Sequence, residues 1–387
     1  MKIKKVKFNN HEIFKNLEVD FCDVNGEPLD TIVLIGENGA GKTTLLRDVF
    51  DAMQIDDRGY NEISDSETHL NNGACCVTIK TENKEVGMIH PDVRIGIGLE
   101  INDPKIVYMP TEINFEKLNK VDNTFKFEPD FFNIVDQNMT QNIPSLIATK
   151  INQEIFKNRK KIIEEVINEV CKMINKVFAC LDLDVKLIGL SENYETKPIF
   201  KNSLGKEFDI NGLSSGEKQL FLRALSLKFL EVNNSIILID EPEISLHPQW
   251  QSKIIKLYEN IGQNNQLIIA THSPHIVGNI EAKQLRIMKK GKAGIAIING
   301  ENIEETYGQN VENILKVIMG IDNVRNDDIS EKLSKIYTLL ENNLFDTEEY
   351  KNLFNYLRKY LGDLDKDIMR MRLEESVRRK KANVKDK

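Results

Sequence analysis

Short apolar runs mark the predicted buried strands of this 387-residue chain. Residues 31–35, 236–239 and 266–270 read TIVLI, IILI and QLIIA, and polar residues or glycine follow each run directly. Runs of this kind are typical of strands that are buried on both faces of a parallel sheet. The chain opens differently, with the alternating sequence MKIKKVKF, which predicts a strand with one polar face.

A second pattern predicts helices, because apolar residues recur three, four or seven positions apart. It covers residues 145–183 and returns after Asn310. The first stretch is too short for a long coiled coil and predicts a compact helical lobe. In the second stretch we expect Asp346 to cap a helix, and the last fifteen or so charged residues to be frayed or ordered only by a partner.

The strand at residues 31–35 leads into GENGAGKTT, a phosphate-binding loop of the GxxxxGK[ST] type. Its glycines allow backbone N–H groups to curl around phosphate oxygens, and the following helix adds its positive end. Lys42 can then reach the terminal phosphates, and Thr43 can ligate Mg²⁺. The predicted cofactors are ATP and Mg²⁺, although these residues alone leave GTP open. The predicted nucleotide-binding residues of the loop are Gly36, Glu37, Asn38, Gly39, Ala40, Gly41, Lys42, Thr43 and Thr44.

The run at residues 236–239 ends in a cluster of carboxylates. A carboxylate at the end of a strand can hold Mg²⁺ through water, so Asp240 is the second predicted metal residue, beside Thr43. The adjacent Glu241 is predicted to polarise the water that attacks the γ-phosphate. Paired carboxylates are common on protein surfaces, but surface pairs do not usually end an aliphatic strand.

Between the loop and these carboxylates, residues 211–219 read NGLSSGEKQ and precede an apolar helical run. A helix that starts with small polar residues can bind an anion, although the same sequence is more often only an N-cap. Its place shortly before the strand at 236–239 favours nucleotide binding. The predicted residues are Ser214, Ser215, Gly216 and Glu217.

His272 follows the third apolar run directly, in the sequence THSP. A histidine at neutral pH can hydrogen-bond both the γ-phosphate and the attacking water, so we predict a catalytic role beside Glu241. A lone histidine after a strand is usually structural, but here three other motifs precede it.

These four motifs, in this order, resemble the Walker A, signature, Walker B and switch-histidine motifs of the ABC ATPase superfamily. The sequences EPEISLHP and ATHSP are similar to the RecF, SMC and OLD branch rather than to membrane transporters. The whole chain resembles the stand-alone ATPases of prokaryotic antiviral defence, such as the Septu ATPases (PtuA). Two positions depart from the superfamily. His247 stands where a D-loop aspartate is common, and Thr111 stands where the Q-loop glutamine is usual, with Glu112 as the alternative metal ligand.

The resemblance implies an α/β, ABC-type P-loop ATPase fold with a mixed sheet core, a helical signature lobe and a helical C-terminal extension. We expect the N-terminal part of the core over residues 1–112 and a helical insert over residues 113–183. The C-terminal part of the core is then expected over residues 184–300, and the extension with its basic tail over residues 301–387.

In this superfamily two subunits meet head to tail with the signature of one against the loop of the other, so the resemblance implies an ATP-dependent homodimer and leaves a higher oligomer open. It further implies regulation of a separately encoded nuclease or toxin effector, with an HNH-type nuclease favoured. No nuclease domain is expected in this chain, because Asp363 and Asp365 lie in a helical segment with too few residues after it. The alternative is a RecF- or SMC-like DNA clamp in DNA repair.

Composition favours a cytoplasmic protein. The five cysteines show no metal-ligand spacing and fit reduced thiols. No apolar run is long enough to span a membrane, and the basic start lacks the apolar region of a signal peptide, so no membrane partner is expected.

The net charge of −8 provides no general attraction for nucleic acid, so any DNA contact must come from local basic patches. Such patches are more often solvated helix faces than binding sites. The three candidates are Lys2, Lys4, Lys5 and Lys7; Lys157, Arg159, Lys160 and Lys161; and Arg370, Arg372, Arg378, Arg379, Lys380 and Lys381.

Overall fold

The computed structural model describes residues 1–54, 60–64, 67–71, 74–80, 104–111, 118–193, 195–292, 294–303, 305–321 and 323–385. Fifteen strands are assigned in this described part: β1 Lys2–Phe8, β2 Glu18–Asp20, β3 Thr31–Gly36, β4 Tyr60–Ser64, β5 Glu67–Asn71, β6 Cys75–Lys80, β7 Ile106–Met109, β8 Phe132–Ile134, β9 Val185–Leu190, β10 Pro198–Asn202, β11 Glu207–Asp209, β12 Ile236–Asp240, β13 Gln266–Ala270, β14 Leu285–Gly291 and β15 Gly294–Asn299. The α-helices are α1 Lys42–Met53, α2 Gln137–Gln141, α3 Ile143–Lys157, α4 Ile163–Lys176, α5 Ser215–Phe229, α6 Pro248–Gln251, α7 Ile254–Glu259, α8 Pro274–Val277, α9 Val311–Asn313, α10 Asp327–Glu341, α11 Glu348–Leu361 and α12 Lys366–Lys385.

A seven-stranded mixed sheet forms the centre of the fold, in the order β15-β14-β3-β13-β12-β7-β8. All neighbours in this sheet are parallel except β14 and β15. The strands β3, β12 and β13 are the three apolar runs of the sequence, and they are almost entirely buried. Because parallel strands end at the same edge of a sheet, the residues that follow these three strands lie next to one another.

An antiparallel sheet in the order β2-β1-β6-β5-β4 lies on the other side of α1. One continuous core joins α1 to both sheets, with Phe8 and Val77 from the antiparallel sheet, Leu46 from α1, and Ile32 and Leu238 from the central sheet. The predicted amphipathic strand at the N-terminus is β1, whose buried residues face this core. Helix α1, which follows the phosphate-binding loop directly, is therefore packed between the two sheets.

The helices α2 to α5 form a lobe with a small antiparallel sheet, β11-β10-β9. The ring of Phe221 in α5 packs against the rings of Phe178 and Phe200, with the ring centroids 4.2 Å and 5.1 Å apart, respectively. The Asn175 side chain bonds the backbone of Leu187 through both its oxygen and its nitrogen, which fixes α4 to β9. The range predicted as a helical insert, residues 113–183, contains α2, α3 and α4 and also the short strand β8, which pairs with β7 of the central sheet.

The chain forms two compact units, residues 1–314 and 315–387. The second unit has its own core of α10, α11 and α12 residues, including Ile336, Leu357 and Ile368. Two local expectations are wrong in this unit. The cap of α11 is Thr347 rather than Asp346, since the Thr347 hydroxyl accepts the N–H of Tyr350. The C-terminal residues form the helix α12 up to Lys385.

The acidic residues between α11 and α12 form hydrogen bonds with arginine side chains of the same unit. Asp365 accepts a hydrogen bond from Arg325 at 2.9 Å, and Asp363 accepts one from Arg358 at 2.6 Å. This pair of carboxylates therefore lies at a helix boundary. Across the described part of the chain, none of the helices combines the length and the apolar character that crossing a membrane requires.

Leu238 tests the contribution of the central sheet to stability, because it is completely buried in β12. We expect Leu238→Ala to lower the free energy of unfolding by about 2–5 kcal/mol, from lost transfer energy and the cavity left behind. Urea unfolding followed by circular dichroism measures this loss. Leu204→Ala makes the same chemical change at a side chain that is 89% exposed. A comparable loss of stability there would contradict the assignment of Leu238 to the buried core.

Candidate functional site

Glycines shape the loop after β3 because there is no room for side chains. A Cβ atom on Gly36 would lie 2.3 Å from the Met288 carbonyl oxygen on the neighbouring strand. Gly41 caps α1 with φ at 87°, and a Cβ there would lie 2.8 Å from the Phe14 ring. Both positions therefore require glycine. The resulting loop leaves the backbone of residues 37–39 exposed.

Lys42 is buried at the start of α1, with 5% of its surface exposed. Its Nζ donates to the Gly36 carbonyl at 3.0 Å and to the Glu37 carbonyl at 3.4 Å. Burial lowers the pKa of Lys42, while the negative charges of Glu241 and Asp240 oppose that shift. An anion bound in the loop would pair with this ammonium group and so offset the cost of burying its charge.

Lys290 is a second cation at the loop that the sequence motif did not indicate. Its Nζ donates to the Asn38 carbonyl at 2.8 Å and lies close to Gly39. The residue follows the buried part of β14, whose neighbour is β3. The sequence KKGK was the only local signal, and a lysine-rich turn alone does not indicate a ligand.

Asp240 is 1% exposed at the end of β12 and faces Thr43 of the loop helix. The Thr43 hydroxyl donates to Asp240 Oδ1 at 3.1 Å. Asp240 Oδ2 is buried and has no hydrogen-bond partner among the residues that the structure describes. A hydroxyl and a carboxylate with one unused oxygen fit a Mg²⁺ ion, which prefers oxygen ligands.

Glu241 and His272 face each other across the ends of β12 and β13, with His272 Nε2 3.6 Å from Glu241 Oε1. The backbone N–H of Glu241 donates to the Ala270 carbonyl, which holds the two strand ends together. Burial, and then the positive charge of Lys42, lower the pKa of His272. The charges of Glu241 and Asp240 oppose this shift, but the net direction favours the neutral imidazole, the form that can both donate and accept a hydrogen bond.

Glu243 is a third carboxylate at this edge, and the motif assignment gave it no role. Its Oε1 accepts the Thr271 hydroxyl at 2.6 Å and the backbone N–H of His272 at 2.7 Å. Burial raises the pKa of Glu243, while these two hydrogen bonds lower it. Adjacent carboxylates in the sequence gave the only hint, because the contact depends on strand pairing.

The predicted signature residues form the start of α5. Ser214 accepts the backbone N–H of Glu217, and the Glu217 carboxylate accepts the Ser214 N–H at 2.8 Å and hydroxyl at 2.7 Å. This capping box satisfies the helix end and leaves Ser214 and Ser215 exposed. Gly216 packs so tightly that a Cβ would lie 2.6 Å from the Ser245 carbonyl oxygen. Nucleotide binding by these residues stays a prediction.

Arg223 links the signature helix to the end of β7, and sequence reasoning missed it. Its guanidinium is buried and donates to the carbonyls of Pro110 at 2.8 Å and Thr111 at 3.0 Å. It also donates to the Asp240 carbonyl at 3.4 Å. Thr111 thus contributes its backbone oxygen to this contact, and Glu112, the alternative metal ligand, lies outside the described residues.

His247 has a structural contact at the position of the D-loop aspartate. It caps α6, and its Nδ1 accepts the backbone N–H of Gln249 at 3.3 Å. The His247 side chain is exposed, as is Ser245, whereas Leu246 between them is buried.

Many cations of the three basic patches are paired with carboxylates of this chain. Exposed pairs of this kind contribute little stability, but they reduce the net positive charge offered to a nucleic acid. The pairs are Lys2 with Asp30, Lys5 with Glu18, Lys157 with Glu154, Lys161 with Glu169, Arg370 with Glu374, Arg372 with Asp363, and Arg379 with Asp346 and Glu375.

Comparison with known proteins finds sequence similarity to a family model and to several curated proteins. A family model described as "AAA domain, putative AbiEii toxin, Type IV TA system" matches residues 99–278. This range contains the start of α5, the carboxylates after β12, and His272, whereas the phosphate-binding loop lies before it.

Curated relatives match most of the chain at low identity. The Septu protein PtuA of Bacillus mycoides (strain KBAB4) is 26% identical over 92% of this chain and 50% of that protein. The Septu protein PtuA of Bacillus thuringiensis is 23% identical over 88% of this chain and 89% of that protein. The retron Vc95 probable ATPase of Vibrio cholerae serotype O1 biovar El Tor is 24% identical over 57% of this chain and 45% of that protein.

This chain therefore spans about half the length of the B. mycoides and V. cholerae relatives. The matches confirm the predicted resemblance to the Septu ATPases. The mixed sheet, with the phosphate-binding loop and the carboxylates at neighbouring strand ends, confirms the α/β, ABC-type P-loop ATPase fold.

The neutral state of His272 can be measured directly. We expect its pKa to lie below the ordinary value of about 6.5, because burial and Lys42 both disfavour the imidazolium. A pH titration of the histidine ring signals by NMR gives this pKa, with the His272→Gln variant identifying the signal. A midpoint at or above the ordinary value would contradict the described environment.

Proposed function

We propose that this chain binds ATP with Mg²⁺, hydrolyses it in a homodimer, and uses this cycle to regulate a separate effector protein. The observation that carries the proposal is the contact between Thr43 and the buried Asp240 beside a phosphate-binding loop. It supports the proposal because this hydroxyl and this carboxylate could both ligate Mg²⁺ beside Lys42, where the terminal phosphates of a bound nucleotide would lie.

Each residue of the site then has a chemical task. Lys42 exchanges the Gly36 and Glu37 carbonyls for phosphate oxygens, which are the stronger acceptors for a buried ammonium. Thr43 and Asp240 would hold the Mg²⁺, which would supply positive charge to the phosphates. Glu241 orients the attacking water and accepts its proton, while neutral His272 hydrogen-bonds the γ-phosphate.

The start of α5 supports the homodimer. Ser214 and Ser215 are exposed at the positive end of a fifteen-residue helix, and the side chain of Ser214 hydrogen-bonds only within the capping box. In a head-to-tail pair with twofold symmetry, this end of one subunit covers the nucleotide in the loop of the other. Loss of the γ-phosphate then removes a contact shared by both subunits, and the interface loosens.

The role in antiviral defence rests on the resemblance to the Septu ATPases and on the names of the relatives, which include a retron ATPase. By this analogy the partner is a separately encoded nuclease or toxin effector, with an HNH-type nuclease favoured. The nuclease activity then belongs to the partner. The proposed location is the cytoplasm, consistent with five cysteines that are free thiols.

A DNA clamp is the second candidate, and α12 favours it. This helix carries eight cations and three carboxylates in a chain whose net charge is −8. The ion pairs of Arg370, Arg372 and Arg379 within their own unit oppose strong binding to phosphates. DNA-stimulated ATP turnover by the chain alone would support the clamp over effector control.

Glu241→Gln separates ATP binding from hydrolysis. The amide keeps the shape of the side chain but cannot accept a proton, so we expect turnover to fall by at least about 10²-fold with ATP affinity retained. The variant should accumulate as a dimer with Mg²⁺ and ATP in analytical ultracentrifugation. Unchanged turnover would remove Glu241 from this role.

Lys42→Ala provides the complementary variant, since it removes the buried lysine of the loop and leaves Lys290 in place. We expect ATP affinity to fall at least tenfold, for a loss of about 1.4 kcal/mol or more, as measured by calorimetric titration. Affinity equal to that of the unmodified protein would contradict the loop assignment.

The partner can be identified from cells that carry the native neighbouring genes. Tagged Glu241→Gln should retain a nuclease or toxin protein in fixed ratio, because the ATP-bound dimer persists. Mass spectrometry identifies the protein, and nuclease digestion detects any nucleic acid. Recovery of DNA with no protein partner would favour the clamp instead.

A further inference from the structure

Glu243 connects two parts of the proposed ATP site, the turn after β12 and the loop after β13. It lies two residues after Glu241 in the chain, yet its hydrogen bonds go to the loop after β13. We propose that Glu243 is a positioning residue that holds His272 opposite Glu241 by bonding the backbone of the His272 loop. This inference rests on the proposed ATPase function, and within that function it assigns to Glu243 the control of the position of His272.

The turn after β12 explains why Glu243 points towards the neighbouring strand. Glu241 has φ at 44° and Ser245 has φ at 61°, both in the left-handed region. The N–H of Leu246 donates to the Glu243 carbonyl at 3.0 Å, which closes the turn. The chain therefore reverses immediately after the catalytic carboxylate, and the Glu243 side chain extends under the end of β13.

Both hydrogen bonds to Glu243 fix the conformation of the His272 loop. The bond from the His272 N–H sets the backbone that carries the imidazole. The Thr271 hydroxyl donates to the same carboxylate oxygen and also accepts the N–H of Ser273 at 2.9 Å. One carboxylate oxygen thus orders three consecutive residues, including the one that faces Glu241.

A second connection reaches the far side of the same loop. The Ser273 hydroxyl donates to Gln251 Oε1 at 2.7 Å, and Gln251 Nε2 donates to the Leu246 carbonyl at 3.0 Å. The loop would therefore stay attached to the turn if the Glu243 contact were lost. The expected result of that loss is a misplaced His272 rather than an unfolded strand.

The position of Glu243 predicts which kinetic constant depends on it. The loop contacts that hold nucleotide involve Lys42, Thr43 and Asp240, and Glu243 bonds none of them. The distance of 3.6 Å between His272 and Glu241 depends on the His272 backbone. Glu243 should therefore affect kcat for ATP hydrolysis and leave KM nearly unchanged.

Two substitutions separate the acceptor oxygen from the negative charge. Glu243→Gln keeps an oxygen that can accept both donors, whereas Glu243→Ala removes it. We expect Glu243→Ala to lower kcat by at least about tenfold and Glu243→Gln to retain most of it. Glu259→Ala is the matched control, because Glu259 accepts the Thr31 hydroxyl at 2.7 Å at the opposite end of β3.

Hydrogen–deuterium exchange of the nucleotide-free protein tests the contact independently of turnover. The amide of His272 should exchange faster in Glu243→Ala than in the unmodified protein, and should stay protected in Glu243→Gln and Glu259→Ala. If Glu243→Ala does not fold, Thr271→Val removes one of the two bonds, and Thr271→Ser restores it. The valine variant should then show the loss of kcat, and the serine variant should not.

Equal kcat in Glu243→Ala and the unmodified protein would overturn the proposal, as would an equal loss in Glu243→Gln. An unchanged exchange rate at His272 would overturn it too. If the unmodified protein itself hydrolyses no ATP, the proposed function fails, while the exchange rates still decide whether Glu243 holds the His272 loop.

Discussion

The parallel pairing of β3, β13 and β12 is the constraint on which the candidate site depends. The register places Ile269 beside Val33 on one neighbour and beside Ile239 on the other. All three strands therefore end together, and the loop, the carboxylates and His272 leave the sheet side by side. Thr43 and Asp240 meet across 197 residues of sequence only because of this pairing.

Burial of charge gives the site its chemical character. Lys42 and Asp240 are both nearly inaccessible to water, and isolated buried charges are costly. Arg223 is buried as well, but it donates to backbone carbonyls at the ends of β7 and β12. The site thus holds charged groups in fixed positions before any ligand arrives, which favours binding of a charged ligand and metal.

The motifs could be predicted from the sequence because each expresses a local physical requirement. Gly36 and Gly41 lie where a Cβ would collide with neighbouring atoms, and Ser214 caps a helix. Each of these requirements is met by residues only a few positions apart in the chain, so it can be recognised as a short sequence motif. The three buried strands were equally clear, since their apolar runs are uninterrupted.

Features that depend on distant contacts could not be predicted in the same way. Glu243 and Arg223 gain their partners only when strands and helices pack. The strand β8 has three residues and owes its form to pairing with β7. Asp346 and Thr347 are both good caps, so sequence could not choose between them.

Helix α12 was also missed, because a charged C-terminal segment is usually frayed. Here carboxylates four residues away pair with its arginines, as in Arg370 with Glu374 and Arg379 with Glu375. Such pairs support a helix that composition alone does not indicate. Ile368 and Met371 on the inner face of this helix are buried in the core formed with α10 and α11.

A structure of Glu241→Gln with ATP and Mg²⁺, determined by cryo-electron microscopy or crystallography, would show whether two subunits share the nucleotide. We expect a γ-phosphate between Lys42 of one subunit and Ser214 to Gly216 of the other, with Mg²⁺ at Thr43 and Asp240. ATP bound elsewhere, or a monomer whose nucleotide has no contact from a second subunit, would contradict this expectation.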